Sequence, residues 1–215
     1  MNRPPPPPQF IPRKGTYFFG GSGMEGSYID GMISALVEVG MTHAFKADRQ
    51  RWSHDLLSAD MLIDATWGVL AHRLGRSGGV DIGDRGAFGT DGAQLNLIGY
   101  SYGSLVAAEV ATTLGSKVDH LVLIASPISQ KKLERLFNNP WIGKVHLIDL
   151  GNLGDKIHDG MGVTDLLALG GPLNSIEFVL SLIRQDGHFW YTAAGPTGQE
   201  RRRALARQLY EMGLR

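Results

Sequence analysis

The sequence contains no cysteine. That excludes disulfide scaffolds, CxxC redox sites, thiolate zinc sites and a cysteine nucleophile. It also lacks net charge, because 21 Lys and Arg balance 21 Asp and Glu. A nucleic-acid binder needs a basic excess, so that partner is not expected. No stretch reaches the ~18 apolar residues of a membrane span, so no transmembrane segment is expected. No HExxH and no paired-ligand spacing occurs, so neither a metal nor a cofactor is expected. Wholesale disorder is excluded too, since 43% of the 215 residues are hydrophobic and only 20% charged.

Glycine is abundant instead, with 29 residues, about twice the usual share. Half of the ten prolines form the run Pro4 to Pro8, which favours an extended polyproline arm unable to donate to a sheet. The expected organisation is an arm over residues 1–14 and a single α/β domain over 15–215. No apolar segment follows Arg3 as a signal peptide would require. The default expectation is therefore a cytoplasmic protein, with non-classical export left open.

From Gly15 onward, short apolar runs alternate with longer amphipathic stretches. Strands are predicted at Thr16–Phe19, Ala44–Ala47, Leu95–Ile98, Leu121–Ile124, Val145–Ile148 and Phe189–Thr192. Helices are predicted at Tyr28–Val39, Ser53–Leu74, Tyr102–Leu114, 130–137, 175–184 and Thr197–Met212, from 3.6-residue apolar periodicity and glycine stops. Residues 76–93 read as a glycine-rich loop. Strands separated by helices imply right-handed crossovers, hence a mainly parallel sheet with helices on both faces.

Two segments match GxSxG, namely Gly75-Arg76-Ser77-Gly78-Gly79 and Gly99-Tyr100-Ser101-Tyr102-Gly103. Context separates them. Ser101 follows an apolar strand and opens a helix, so it falls on a strand–turn–helix corner at the sheet edge where α/β ligand sites lie. Ser77 ends a helix and precedes a loop. Ser101 is the nucleophile candidate.

On the Gly99–Gly103 corner and the order of the elements after it, residues 15–215 resemble the α/β-hydrolase superfamily of esterases, lipases and thioesterases. The resemblance implies a compact fold, here without room for a large cap. It also implies a triad in the order serine, acid, histidine. A serine hydroxyl needs a base, and the base needs an acidic orienter. His43, His54 and His72 precede Ser101. His120 and His146 lie in or at strands, and His158 follows its strand too soon. His188 remains, although the superfamily more often places its histidine after the last strand and here Phe189-Trp190-Tyr191 follow. For the acid, Asp155 best matches the superfamily's position, with Asp149 and Asp159 as alternatives.

The resemblance further implies an oxyanion hole. One amide would come from Tyr102 and the second from Gly21 or Ser22 in the turn Gly20-Gly21-Ser22-Gly23-Met24. The superfamily's usual His-Gly there is Phe19-Gly20 in this chain. A phosphate loop is not expected, because neither GxGxxG nor GxxxxGK[ST] is present. Met24, Tyr28, Tyr100, Tyr102 and Trp190 are candidate wall residues, and the six glycines from Gly151 to Gly171 suggest a flap. Arg201, Arg202, Arg203 and Arg207 read as a solvated helix face, with anionic lipid head groups as the alternative.

The expected function is a serine hydrolase cleaving a carboxylic ester, lipid ester or thioester through an acyl-enzyme on Ser101. Its partner is then a small-molecule ester or lipid substrate. The alternatives are a lipase or phospholipase resembling toxin-like effectors, and a non-catalytic binding module on the same fold.

Overall fold

The computed structural model describes residues 14–21, 26–47, 92–114, 116–162, 165, 181 and 183–215. The proline run, the predicted helix Ser53–Leu74, most of loop 76–93, Ser77, Ser22 and Met24 lie outside the described residues. Of the predicted helix 175–184, residues 181, 183 and 184 are described, and they are helical.

Among the described residues, β1 (Gly15–Phe19), β2 (Ala44–Lys46), β3 (Leu95–Tyr100), β4 (Val118–Ile124) and β5 (Ile142–Ile148) form one sheet. All neighbours are parallel, in the order β2-β1-β3-β4-β5. The helices are α1 (Ser27–Glu38), α2 (Tyr102–Thr113), α3 (Gln130–Phe137) and α4 (Gly195–Glu211).

The period-2 alternation of each strand assigns its residues to two cores. Tyr17, Phe19, Leu97, Leu121 and Leu123 pack on one face with residues of α2 and α3. Phe18, Ile98, Tyr100, Val122 and Ile124 pack on the other with residues of α1 and α4. β4 lies between β3 and β5 and is sealed on both faces, which explains its unbroken apolar run. Each fully buried side chain of this size contributes about 1.5–3 kcal/mol over an exposed one.

β1 crosses to β2 on one side, and the chain then returns to β3 on the other. The sheet therefore reverses direction between β1 and β3, and ligands of open α/β sheets bind outside the strand C-termini at such a reversal. Ser101 follows β3, and Gly20 and Gly21 follow β1. This strand order is common to several doubly wound sheets, so it locates a crevice without specifying its chemistry.

α1 ends as predicted at Gly40, which takes φ +103°. The amides of Gly40 and Met41 return to the carbonyls of Val37 and Leu36, the paired bonds of a Schellman stop. α4 stops in the same way at Gly213.

Two expectations are corrected. Phe189–Thr192 is not a strand but part of a 3-10 helix, Gly187–Thr192. Its aromatics suit a half-buried pleat, but β-propensity yields to packing. Phe189 and Tyr191 are buried without pairing to the sheet, and Gly187 at φ +50° turns the chain out of extended geometry. β4 and β5 also each begin three residues before the predicted Leu121 and Val145.

No described helix is long and apolar enough to cross a membrane, and no described cluster of His, Asp or Glu is arranged to hold a metal.

Candidate active site

Ser101 sits on the turn between β3 and α2 with φ 56° and ψ −129°, a backbone conformation that side-chain-bearing residues rarely adopt. Its two glycines explain how the turn can be so sharp. A Cβ on Gly99 would lie 2.4 Å from Ser104 Cα, and one on Gly103 would lie 2.3 Å from the carbonyl oxygens of Phe19 and Gly20. Both separations are impossible for a real side chain, so only glycine fits the corner.

Hydrogen bonds then hold the strained residue from both sides. Ser101 N–H donates to the Ile124 carbonyl at 2.8 Å. The Ser101 carbonyl accepts from Ser104 N–H at 3.0 Å and from Ser104 Oγ at 2.5 Å. Ser104 Oγ is also 2.6 Å from Ser126 Oγ, and both hydroxyls are buried.

His188 comes from the 3-10 helix that begins at Gly187. A Cβ at Gly187 would lie 3.2 Å from the Gly154 backbone. The glycine thus lets the histidine-bearing segment close against the loop after β5, one residue from Asp155. His188 Nε2 is 2.7 Å from Ser101 Oγ, and His188 Nδ1 is 2.8 Å from Asp155 Oδ2. The other oxygen of Asp155 accepts Ile157 N–H at 2.8 Å. His188 and Asp155 are buried at 6% and 8% exposure, whereas Ser101 is partly open to solvent.

The two alternative acids stand elsewhere. Asp149 is exposed and caps a turn by accepting Gly151 N–H at 2.7 Å. Asp159 meets His158 through its main-chain carbonyl.

The neighbouring strands β4 and β5 carry a second histidine contact. His120 Nδ1 and His146 Nε2 are 2.9 Å apart with their rings stacked. Burial first, and then each other's charge and that of Lys144, hold His120 down to about 4. Burial and Lys144 lower His146 as well. This pair belongs to the sheet, as the strand positions predicted.

The expected oxyanion donors are only partly described. Tyr102 opens α2, and first-turn amides point out of a helix N-terminus. Gly21 N–H, by contrast, donates to the Tyr28 hydroxyl at 3.0 Å. An incoming oxyanion would have to draw that amide away from Tyr28.

The wall reading also changes. Tyr28, Tyr100 and Tyr102 are buried core residues, at 4%, 1% and 3% exposure. Tyr100 lies directly beneath the histidine: its ring stacks on His188 with centroids 5.7 Å apart, and its hydroxyl donates to the His188 carbonyl. Burial, reinforced by Tyr28 and Asp155, raises the Tyr100 hydroxyl well above its ordinary value, so it remains a neutral donor.

The arginine run is only in part a solvated face, since Arg203 and Arg207 are exposed while Arg201 and Arg202 turn inward. Arg201 Nη1 donates to the carbonyls of Gln185 and Trp190, at 2.7 and 3.2 Å, with its guanidinium 3.5 Å above the Trp190 ring. Arg202 Nη1 donates to the carbonyls of Tyr191 and Ala193, both at 2.9 Å. Arg203 pairs with Glu38 of α1 at 2.7 and 3.1 Å, and Arg207 alone of the four is exposed with no pairing shown.

A family model described as an alpha/beta hydrolase matches residues 83–135. That stretch holds β3, the Ser101 turn, α2, β4 and most of α3. The protein has a compact α/β fold, and the stretch around Ser101 is similar to alpha/beta hydrolases. The match covers about a quarter of the chain, and it includes the turn that distinguishes hydrolases from other doubly wound sheets. No curated protein and no solved structure gives a match.

Proposed function

We propose that the protein is a serine hydrolase that cleaves carboxylic ester bonds through an acyl-enzyme on Ser101. The observation that carries this reading is the continuous contact from Ser101 Oγ through His188 to Asp155, at 2.7 and 2.8 Å. Asp155 accepts a hydrogen bond from His188 Nδ1–H and so fixes the tautomer whose Nε2 lone pair faces Ser101. His188 Nε2 takes the hydroxyl proton as Oγ attacks the ester carbonyl carbon, and the carbonyl π pair moves onto oxygen. Tyr102 N–H is one donor to that oxyanion, and Gly21 or Ser22 supplies the other. Collapse expels the alcohol, which leaves with the proton from His188. Water, deprotonated by the same imidazole, then releases the carboxylic acid and restores Ser101.

Burial favours this chemistry. A carboxylate and an imidazole withdrawn from water interact more strongly with the charge that develops on reaction than an exposed pair would.

Two other readings lose support. A phospholipase drawn to anionic head groups needs free arginines on α4, but three of the four are engaged within the protein. A binding module does not require the base within reach of the serine, yet the separation is that of a hydrogen bond. A fluorophosphonate probe should label Ser101 in the folded protein and leave Ser101→Ala unlabelled. An unlabelled, folded wild type would sink the reading. Turnover of p-nitrophenyl esters against that of phospholipid vesicles separates the esterase from the lipase form.

A further inference from the structure

The segment that carries His188 pairs with no strand among the described residues, and its short 3-10 helix leaves carbonyls that need other donors. Over residues 185–193 side chains supply several of them. Tyr100 bonds the carbonyl of 188, Arg201 those of 185 and 190, and Arg202 those of 191 and 193. Gln185 and Gly187, at φ +56° and +50°, fold the segment into a shape that needs such support.

Arg202 is the unusual member. It is 5% exposed, and its hydrogen bonds go to carbonyls rather than to a carboxylate. Burial lowers its pKa from the ordinary arginine value. Burying a guanidinium without a carboxylate is costly, so its placement calls for a gain elsewhere. The fold also makes space for it. Gly31 lies within α1, where glycine costs about 1 kcal/mol relative to alanine, and a Cβ there would lie 2.8 Å from Arg202 Nε.

We propose that Arg202 is a positioning residue for His188, seated by Gly31 of α1 and acting through the carbonyls of Tyr191 and Ala193. The reach from His188 to Ser101 is then set by how α4 docks on α1. This inference rests on the hydrolase reading for its kinetic consequence but not for its geometric one.

The test uses the full chain with p-nitrophenyl acetate as substrate, and counts active sites with the fluorophosphonate label. Arg202→Met should lower kcat per labelled site by about ten- to a hundredfold, the scale of a 1 Å misplacement, with KM within about twofold. Arg202→Lys, which keeps donors near both carbonyls, should recover part of the loss. Gly31→Ala is the sharper variant. It touches none of the histidine segment and replaces glycine with a better helix former. It should hold or raise the thermal midpoint yet lower kcat several-fold, a split that a merely structural arginine would not produce.

The NMR signal of the His188 Nδ1 proton, which reports the bond to Asp155, should shift or broaden in Arg202→Met and Gly31→Ala. Unchanged kcat per site with an unchanged His188 signal in Gly31→Ala overturns the proposal, even if Arg202→Met fails to fold. A wild type that neither labels nor turns over defeats the hydrolase reading instead, and the His188 signal still decides the positioning.

Discussion

The serine and the histidine of this site are held by different means. Ser101 stands on backbone: two glycines pack against main-chain atoms, and its own N–H and carbonyl bond to neighbouring turns. His188 stands on side chains, with Tyr100 beneath it and two arginines of α4 bonding the chain on either side. Backbone contacts can be satisfied only by glycine at the corner, so the serine's support shows as a short motif. Side-chain support is spread over residues distant in sequence and leaves no motif. Glycines therefore mark the serine's half of the site in the sequence, while the histidine's half rests on side chains that no motif announces.

Substitutions can break or sharpen this contrast. The largest effect should be on chemistry itself. Ser101→Ala should lower turnover of a p-nitrophenyl ester by about ten-thousand-fold or more, and His188→Ala by a similar factor. The two losses should not add in the double variant, because the residues act as one unit. Next comes the backbone support. Gly103→Ala sets a Cβ against the carbonyls of Phe19 and Gly20, and should cost about 3 kcal/mol or more by denaturant unfolding. Should the corner accept alanine without loss, the claim that backbone packing holds the serine fails.

Tyr100→Phe probes the other half. It keeps the ring against His188 and removes the donor to a buried carbonyl, at about 1–3 kcal/mol. Activity should fall by less than in Arg202→Met, since the two arginines still hold the segment.

The smallest effect concerns the second histidine contact. His120 is neutral in the folded protein with a pKa of about 4, against 6.5 for the ordinary side chain. The unfolded chain therefore binds the proton more readily. Stability is complete above about 6.5, falls as the pH drops below it, and levels off under about 4. Thermal midpoints measured across that window should decline with acid, and His146→Leu should flatten the decline. Because these residues do not touch Ser101 or His188, the acid loss of stability separates from any loss of activity at the same pH.

Much of the fold was legible because burial and period coincide. Leu121–Ile124 is apolar throughout because both faces of β4 are covered, and Tyr28–Val39 has the period of a helix with one buried side. β5 was cut short since Gly143 and Lys144 interrupt its apolar run, and both are exposed along a strand that pairs on one side only among the described residues. Phe189–Thr192 misled because aromatic residues favour strands and buried 3-10 turns alike. Ser101 was legible from glycine spacing plus its place after a strand. Asp155 and His188 came forward through resemblance, and the geometry that joins them depends on Gly187 and Gly154, which no spacing rule connects. The solvated-face reading holds for the exposed Arg203 and Arg207 and fails for Arg201 and Arg202, whose acceptors are main-chain carbonyls that carry no residue-type signal.

Ser101 and His188 are 87 residues apart along the chain, whereas the hydrogen bonds to the Ser101 backbone come from Ser104 and Ile124, in the helix it opens and the adjoining strand. In the proposed hydrolase the serine is set by the sheet and the turn after β3, while its base is delivered by a segment that α4 holds, so activity depends on the docking of the C-terminal helix as well as on the sheet.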